Sequence, residues 1–168
     1  IAGIDSDDWM LDDAIESILD LWKKYDGSEY AGIFTYAISP EGNRIGSPFP
    51  NVKAASYQNF TYKYKYKGDK HTVLRSEVIK AIPVYPVFDG EKLVGEGYKW
   101  IQLPDDKPFL LLNKPVCIVN YQDSGYSKNA RNNFFKNPQG FRVNHRQYII
   151  SSKYLLPRCK GHIGYIMY

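Results

Sequence analysis

Cysteine is scarce: the 168-residue chain has only Cys117 and Cys159. Two thiols cannot build the disulfide framework of a small secreted domain, which takes about four or more. Both are expected to be free, Cys117 in an apolar strand and Cys159 in a basic loop. Long hydrophobic runs are also missing. The longest, Phe109-Leu110-Leu111-Leu112, ends at Asn113, well short of the roughly 20 apolar residues of a membrane helix. A soluble chain with no membrane partner is therefore expected. Gly-rich phosphate loops, a serine nucleophile elbow and a His-Glu-x-x-His pattern are all lacking, and no cofactor is expected. The first residues, Ile1-Ala2-Gly3-Ile4, include no methionine and no Lys/Arg-led apolar segment, which reads as a trimmed product or an excised part.

What is present has ordinary globular proportions, 43% hydrophobic and 24% charged. The length suits one domain over 1–168. Its charge is unevenly spread. Residues 1–30 hold nine acids against Lys23 and Lys24, a net of −7, so the rest of a +4 chain carries +11. Residues 124–168 contain eight bases (Lys128, Arg131, Lys136, Arg142, Arg146, Lys153, Arg158 and Lys160) and no acid. Such a segment repels itself unless an anion lies nearby.

Spacing predicts one helix over residues 7–25, with Leu11, Ala14, Ile15, Ile18, Trp22 and Tyr25 on one stripe. Ser6 or Asp7 would cap it, and Gly27 would end it. Beyond Gly27 the texture is that of strands. Ile33–Ile38 reads as a strand, Pro40–Asn43 as a turn and Arg44-Ile45 as a return strand. Phe60, Tyr62, Tyr64 and Tyr66 alternate with Thr61, Lys63, Lys65 and Lys67, which predicts a strand returning through a Gly68-Asp69 hairpin to His71–Leu74. A short helix is expected before Pro83. Further strands are expected at Val84–Phe88, Leu93–Leu103 and Leu110–Tyr121, with the last one central. A helical turn is expected from Ser127 to Phe135, and closing strands at Gly140–Ile150 and Ile163–Tyr168. The expected fold class is α+β, an N-terminal amphipathic helix (1–27, acidic) packed on a mostly antiparallel β-sheet within a basic, tyrosine-rich, β-rich body (30–168).

Catalytic candidates are weak. Asp89 followed by Asp105-Asp106-Lys107 mimics the carboxylate spacing of a metal-dependent nuclease, but Pro104 and Pro108 make the second element a turn. Cys159-x-x-His162 is half a zinc-like spacing with only His145 near in sequence. Cys117 could act as a nucleophile with His71 or His145, yet Pro115-Val116-Ile118-Val119 around it suits packing. A hydrolase would therefore rest on Asp89, Asp105, Lys107 or His145.

Two partial family likenesses lean toward DNA. The stretch from Thr35-Tyr36-Ala37-Ile38-Ser39 to Ile82-Pro83 resembles the start of phage-type homing endonucleases, without their histidine–asparagine–histidine part. Ser127-Lys128-x-x-Arg131 with Asn144-His145-x-x-Tyr148-Ile149 is similar to motifs near the C-terminus of some adenine-specific DNA methyltransferases, without their Asn/Asp-Pro-Pro-Tyr motif. Neither assigns a site residue.

The reading that charge and aromatics favour is a non-enzymatic module for an anionic polymer, foremost DNA or RNA. Lys and Arg neutralise phosphates and planar rings stack on unpaired bases, and fifteen tyrosines are available. The expected contacts are Lys63, Lys65, Lys67 and Lys70 of the hairpin, with Lys128, Arg131, Lys136, Arg142 and Arg146. The alternative is an assembly subunit, in which the acidic helix of one copy docks on the basic region of another copy of itself. A metal-dependent nuclease or other hydrolase is the third reading.

Overall fold

In a computed structural model, which describes residues 1–25, 29–121 and 130–167, the chain divides into two compact units. Ile1–Ile79 with Pro104–Asn120 form the first; Lys80–Leu103 with Tyr121–Tyr168 form the second. Gly27 and Lys128 lie outside the described residues.

The first unit is α+β. Its elements are β1 (Trp9–Met10), α1 (Ala14–Lys24), β2 (Gly32–Ile38), β3 (Ala54–Ala55), β4 (His71–Leu74), α2 (Ser76–Ala81, across the unit boundary) and β5 (Phe109–Ile118). The sheet runs β1-β5-β2-β4, with β3 also on β5. The apolar run 109–118 is central, as its Leu/Val/Ile content predicts. β2 and β5 are parallel and the remaining pairs antiparallel, so the sheet is mixed, not mostly antiparallel. A strand precedes the helix. Trp9 and Met10 pair with Ile118 and Cys117 of β5, and the Leu11 amide reaches the Val116 carbonyl at 2.9 Å. Covering that edge of β5 outweighs continuing the helical stripe toward Asp7, so α1 begins only after Asp13.

Both faces of β2 are covered because its alternate residues feed two cores. Ile33 and Ala37 pack with Ala14, Ile18, Leu110, Val116 and Cys117. Phe34 points the other way and stacks on Phe109, ring centres 4.0 Å apart, with Phe60 at 4.9 Å. This aromatic core overturns the expected lysine strand. Asn59–Lys63 coil into one π-helical turn, closed by the Tyr64 amide on the Asn59 carbonyl at 2.9 Å. The coil brings Phe60 and Tyr66 into one stack, ring centres 4.5 Å apart, whereas a strand of alternating rings would spread them. Lys65 takes a positive φ of 55° as the chain turns away, and no Gly68-Asp69 hairpin forms.

The second unit is helical among its described residues: α3 (Gly97–Trp100), α4 (Ala130–Lys136), α5 (Pro138–Ser151) and α6 (Leu155–Met167). The strands expected at 84–88 and 93–103 are absent. Asp89-Gly90 does turn the chain, with Gly90 at φ 78°, but the segment beyond it pairs with a helix end. Asn137 Oδ1 accepts from the Lys92 and Leu93 amides at 2.7 and 3.0 Å, and the Glu91 carboxylate accepts from the Gln139 and Gly140 amides, both at 2.8 Å. The orphan donors that open α5 are thus satisfied from a loop some 48 residues away in sequence.

The two closing strands are also absent, since 140–150 and 163–167 are helical. Their Val, Ile and Tyr content suggested strands. Pro138 at the first helical position starts α5 instead. Gly161 and Gly164 then let α6 lie directly on Tyr148, Ile149 and His145 of α5.

Candidate functional site

The nuclease candidates are divided between the two units. Asp105 and Lys107 belong to the first unit, Asp89 and His145 to the second. The Ser56 hydroxyl donates to the Asp105 carboxylate, tying the 104–108 turn to its own unit. Asp89 is exposed at its turn. His145 is half-buried with its ring where a side chain on Gly164 would sit, and burial lowers its pKa. Among the described residues, no three His, Cys, Asp or Glu side chains gather to hold an ion. A cleft of about 550 Å³ in the second unit is lined mainly by Tyr85, Val87, Phe88, Leu93 and Trp100. Its acids are Glu91, already holding two amides of α5, and Glu96.

Cys117 and His71 do meet: Sγ lies 3.5 Å from Nδ1. The chemistry runs against a nucleophile. Burial, reinforced by the Asp8 charge, pushes the thiol up to about 11, while burial pushes the imidazole down. Transfer of a proton from sulfur to nitrogen is therefore disfavoured from both sides. Cys117 is also only 2% exposed. It packs, as its strand context suggests.

The expected lysine ladder is dismantled by the π turn. Lys63 and Lys65 are exposed, and Lys63 lies 5.5 Å from the Tyr64 ring centre. The Lys67 backbone is held on Ser47. The Lys70 ammonium rests 4.9 Å over Tyr57 and 5.8 Å from the Phe34 ring centre. The regular spacing of about 7 Å that a strand would supply is lost.

The C-terminal bases fare differently. Arg131 falls in α4, its side chain outside the described set, and Lys136 is exposed at the end of that helix. Arg142 and Arg146 stand one turn apart on α5, about 6 Å along the axis, and both are exposed. The Arg142 guanidinium sits 4.7 Å over the Tyr165 ring of α6. Tyr165 continues the row Arg158, His162, Tyr165 at four- and three-residue spacing. That one contact joins the two rows, so Arg142, Arg146, Arg158 and His162 border the same flank of the α5–α6 hairpin. Arg158 and His162 are exposed as well.

No acid exists in 124–168 to neutralise this flank. The ion pairs Asp20–Lys23 and Asp13–Lys114 lie within the first unit. Sequence reasoning missed the Arg158, His162 and Tyr165 row because it read 140–150 and 163–168 as strands with a loop between them. The signal available was their i, i+4, i+7 spacing. No family model, curated protein or solved structure matches this chain.

Proposed function

We propose that the chain binds an anionic polymer, nucleic acid foremost, along the cationic flank of the α5–α6 hairpin. The observation that carries this reading is the convergence of Arg142, Arg146 and Arg158 on one helical flank of an acid-free segment. Guanidinium forks suit phosphate oxygens in pairs. Tyr165 is not a free stacking platform, because Arg142 covers its face. Binding is therefore electrostatic and weakly dependent on base sequence. Lys63, Lys65, Lys67 and Lys70 take no part in it.

Fluorescence anisotropy of a labelled oligonucleotide across a salt series tests the reading. With three phosphate contacts, affinity falls about 40-fold between 50 and 200 mM salt. R142E/R146E removes most of the binding and flattens the slope, whereas K63E/K65E leaves both in place. Affinity that is indifferent to salt, or equal losses in the two variants, overturns it.

A further inference from the structure

Helix α6 turns its small residues inward. Pro157, Gly161 and Gly164 are buried, and the two glycines allow close approach to α5. The opposite face is apolar and uncovered: Leu155, Leu156, Ile163, Ile166 and Met167 are 61 to 83% exposed, with Cys159 among them. At 100° per residue, Arg158 and His162 edge one side of this stripe and Lys160 the other. A contiguous apolar face rimmed by charge marks an interaction surface.

The first unit carries a face of the opposite sign. Helix α1 buries Ala14 and Ile18 but leaves Ile15 and Leu19 exposed at 63 and 49%, one turn apart. Asp12, Glu16 and Asp20 form the neighbouring row, also exposed. This helix is apolar beside acid where α6 is apolar beside base. The base-rimmed face has no acid in its own segment, and the acids Asp12, Asp13, Glu16 and Asp20 outnumber the bases beside them, Lys23 (3.3 Å from Asp20), Lys24 and Lys114 (2.6 Å from Asp13).

We infer that α6 of one copy docks on α1 of a second copy. Ile15 and Leu19 cover the Ile163–Ile166 stretch, and the single row Asp12, Glu16 and Asp20 faces its Arg158 edge. Charge complementarity selects this occupant and fixes its register, while apolar contact supplies the attraction. The two faces differ, so the contact is heterologous, and copies add head to tail into a ring or a filament. One helix pair covers less than the roughly 1,200–2,000 Å² of a stable interface. Association is therefore weak and grows with concentration.

Sedimentation velocity of the full chain, from low to several hundred micromolar and at low and high salt, reads this directly. The expected result is a sedimentation coefficient that rises with concentration and falls with salt. I163E/I166E and, separately, I15E/L19E each weaken association at least about tenfold. All four side chains are exposed, and circular dichroism checks that each variant keeps its fold. Mixing the two variants is decisive, since each retains the face the other has lost, so a one-to-one heterodimer forms that neither makes alone. A wild-type chain that stays monomeric throughout, an I163E/I166E variant that associates normally, or a mixture that gives no heterodimer overturns the inference. So does capture of a monomeric chain by vesicles of anionic lipid through the same isoleucines. Oligonucleotide binding by the I15E/L19E variant stays intact, because neither side chain belongs to the Arg142, Arg146 and Arg158 flank, so loss of assembly with binding retained separates the two proposals.

Discussion

The Arg142 guanidinium lies over the face of Tyr165, 4.7 Å from the ring centre. This pairing joins α5 to α6 on the flank where Arg146, Arg158 and His162 are exposed. The Tyr165 ring thus supports a cation.

Tyr165→Leu separates this role from base stacking. The side chain keeps apolar bulk and loses the ring quadrupole, so stability falls by roughly 0.5–1 kcal/mol, the worth of an exposed cation–π contact. Arg142→Gln costs a similar amount, and the double variant loses little more than either single one. Chemical denaturation of the four proteins measures this. Oligonucleotide affinity survives Tyr165→Leu, whereas a base-stacking tyrosine would lose it.

Lys114 of β5 holds the start of α1. Its ammonium lies 2.6 Å from the Asp13 carboxylate and donates to the Ser17 hydroxyl at 2.7 Å. The hydrogen bond and charge of Lys114 lower the Asp13 pKa. A carboxyl whose pKa is depressed by folding stabilises the native state above its unfolded value of 3.8, and that contribution is lost as pH falls through the folded value. The wild type is thus more stable than Lys114→Met near neutrality, and the difference closes below about pH 3.8. Urea denaturation at pH 7, 5 and 3 checks the sign.

The two thiols differ in reactivity. Cys159 is exposed on α6, while Cys117 is buried with its pKa pushed up to about 11. At pH 8 an aromatic disulfide reagent modifies one thiol per folded chain, and mass spectrometry places the label on Cys159. Both thiols react once denaturant is added. Rapid labelling of Cys117 in the folded chain would contradict its burial.

Gly140 has no space for a side chain, because an added Cβ would collide with the Leu93 carbonyl oxygen. The same residue donates its amide to Glu91. Gly140→Ala therefore forces the 91–94 segment off the start of α5 and costs about 1–3 kcal/mol. Thermal unfolding followed by circular dichroism measures the loss. Glu91→Gln keeps one accepting oxygen and sets an NH2 donor against the other amide, so it is destabilising as well.

Several elements were readable from local pattern. β2 needs only the apolar run Ile33–Ile38, and β5 only the Leu/Val/Ile content of 109–118. The turn at 40–43, the short helix before Pro83 and most of α1 follow from Gly, Pro and three-to-four spacing. The lysine segment was misread because its perfect alternation is equally a row of rings competing for one aromatic core. Residues 140–150 and 163–167 differ from the expected strands because Val, Ile and Tyr favour strands in isolation. Their helical state depends on Pro138, on glycines that permit close packing, and on Glu91 and Asn137 bonding across a long sequence gap.

Composition and order alone determined the charge asymmetry: an acidic opening, an acid-free final quarter, and too few cysteines for a disulfide framework. They also determined the central strand, since an apolar β-branched run has few places to go except the middle of a sheet. Which cations share a surface was decided only by tertiary contact. Charge adds up along a chain whatever its shape, but adjacency depends on backbone conformation. One π turn broke up the lysines at 63–70, and one helical hairpin brought Arg142, Arg146 and Arg158 together.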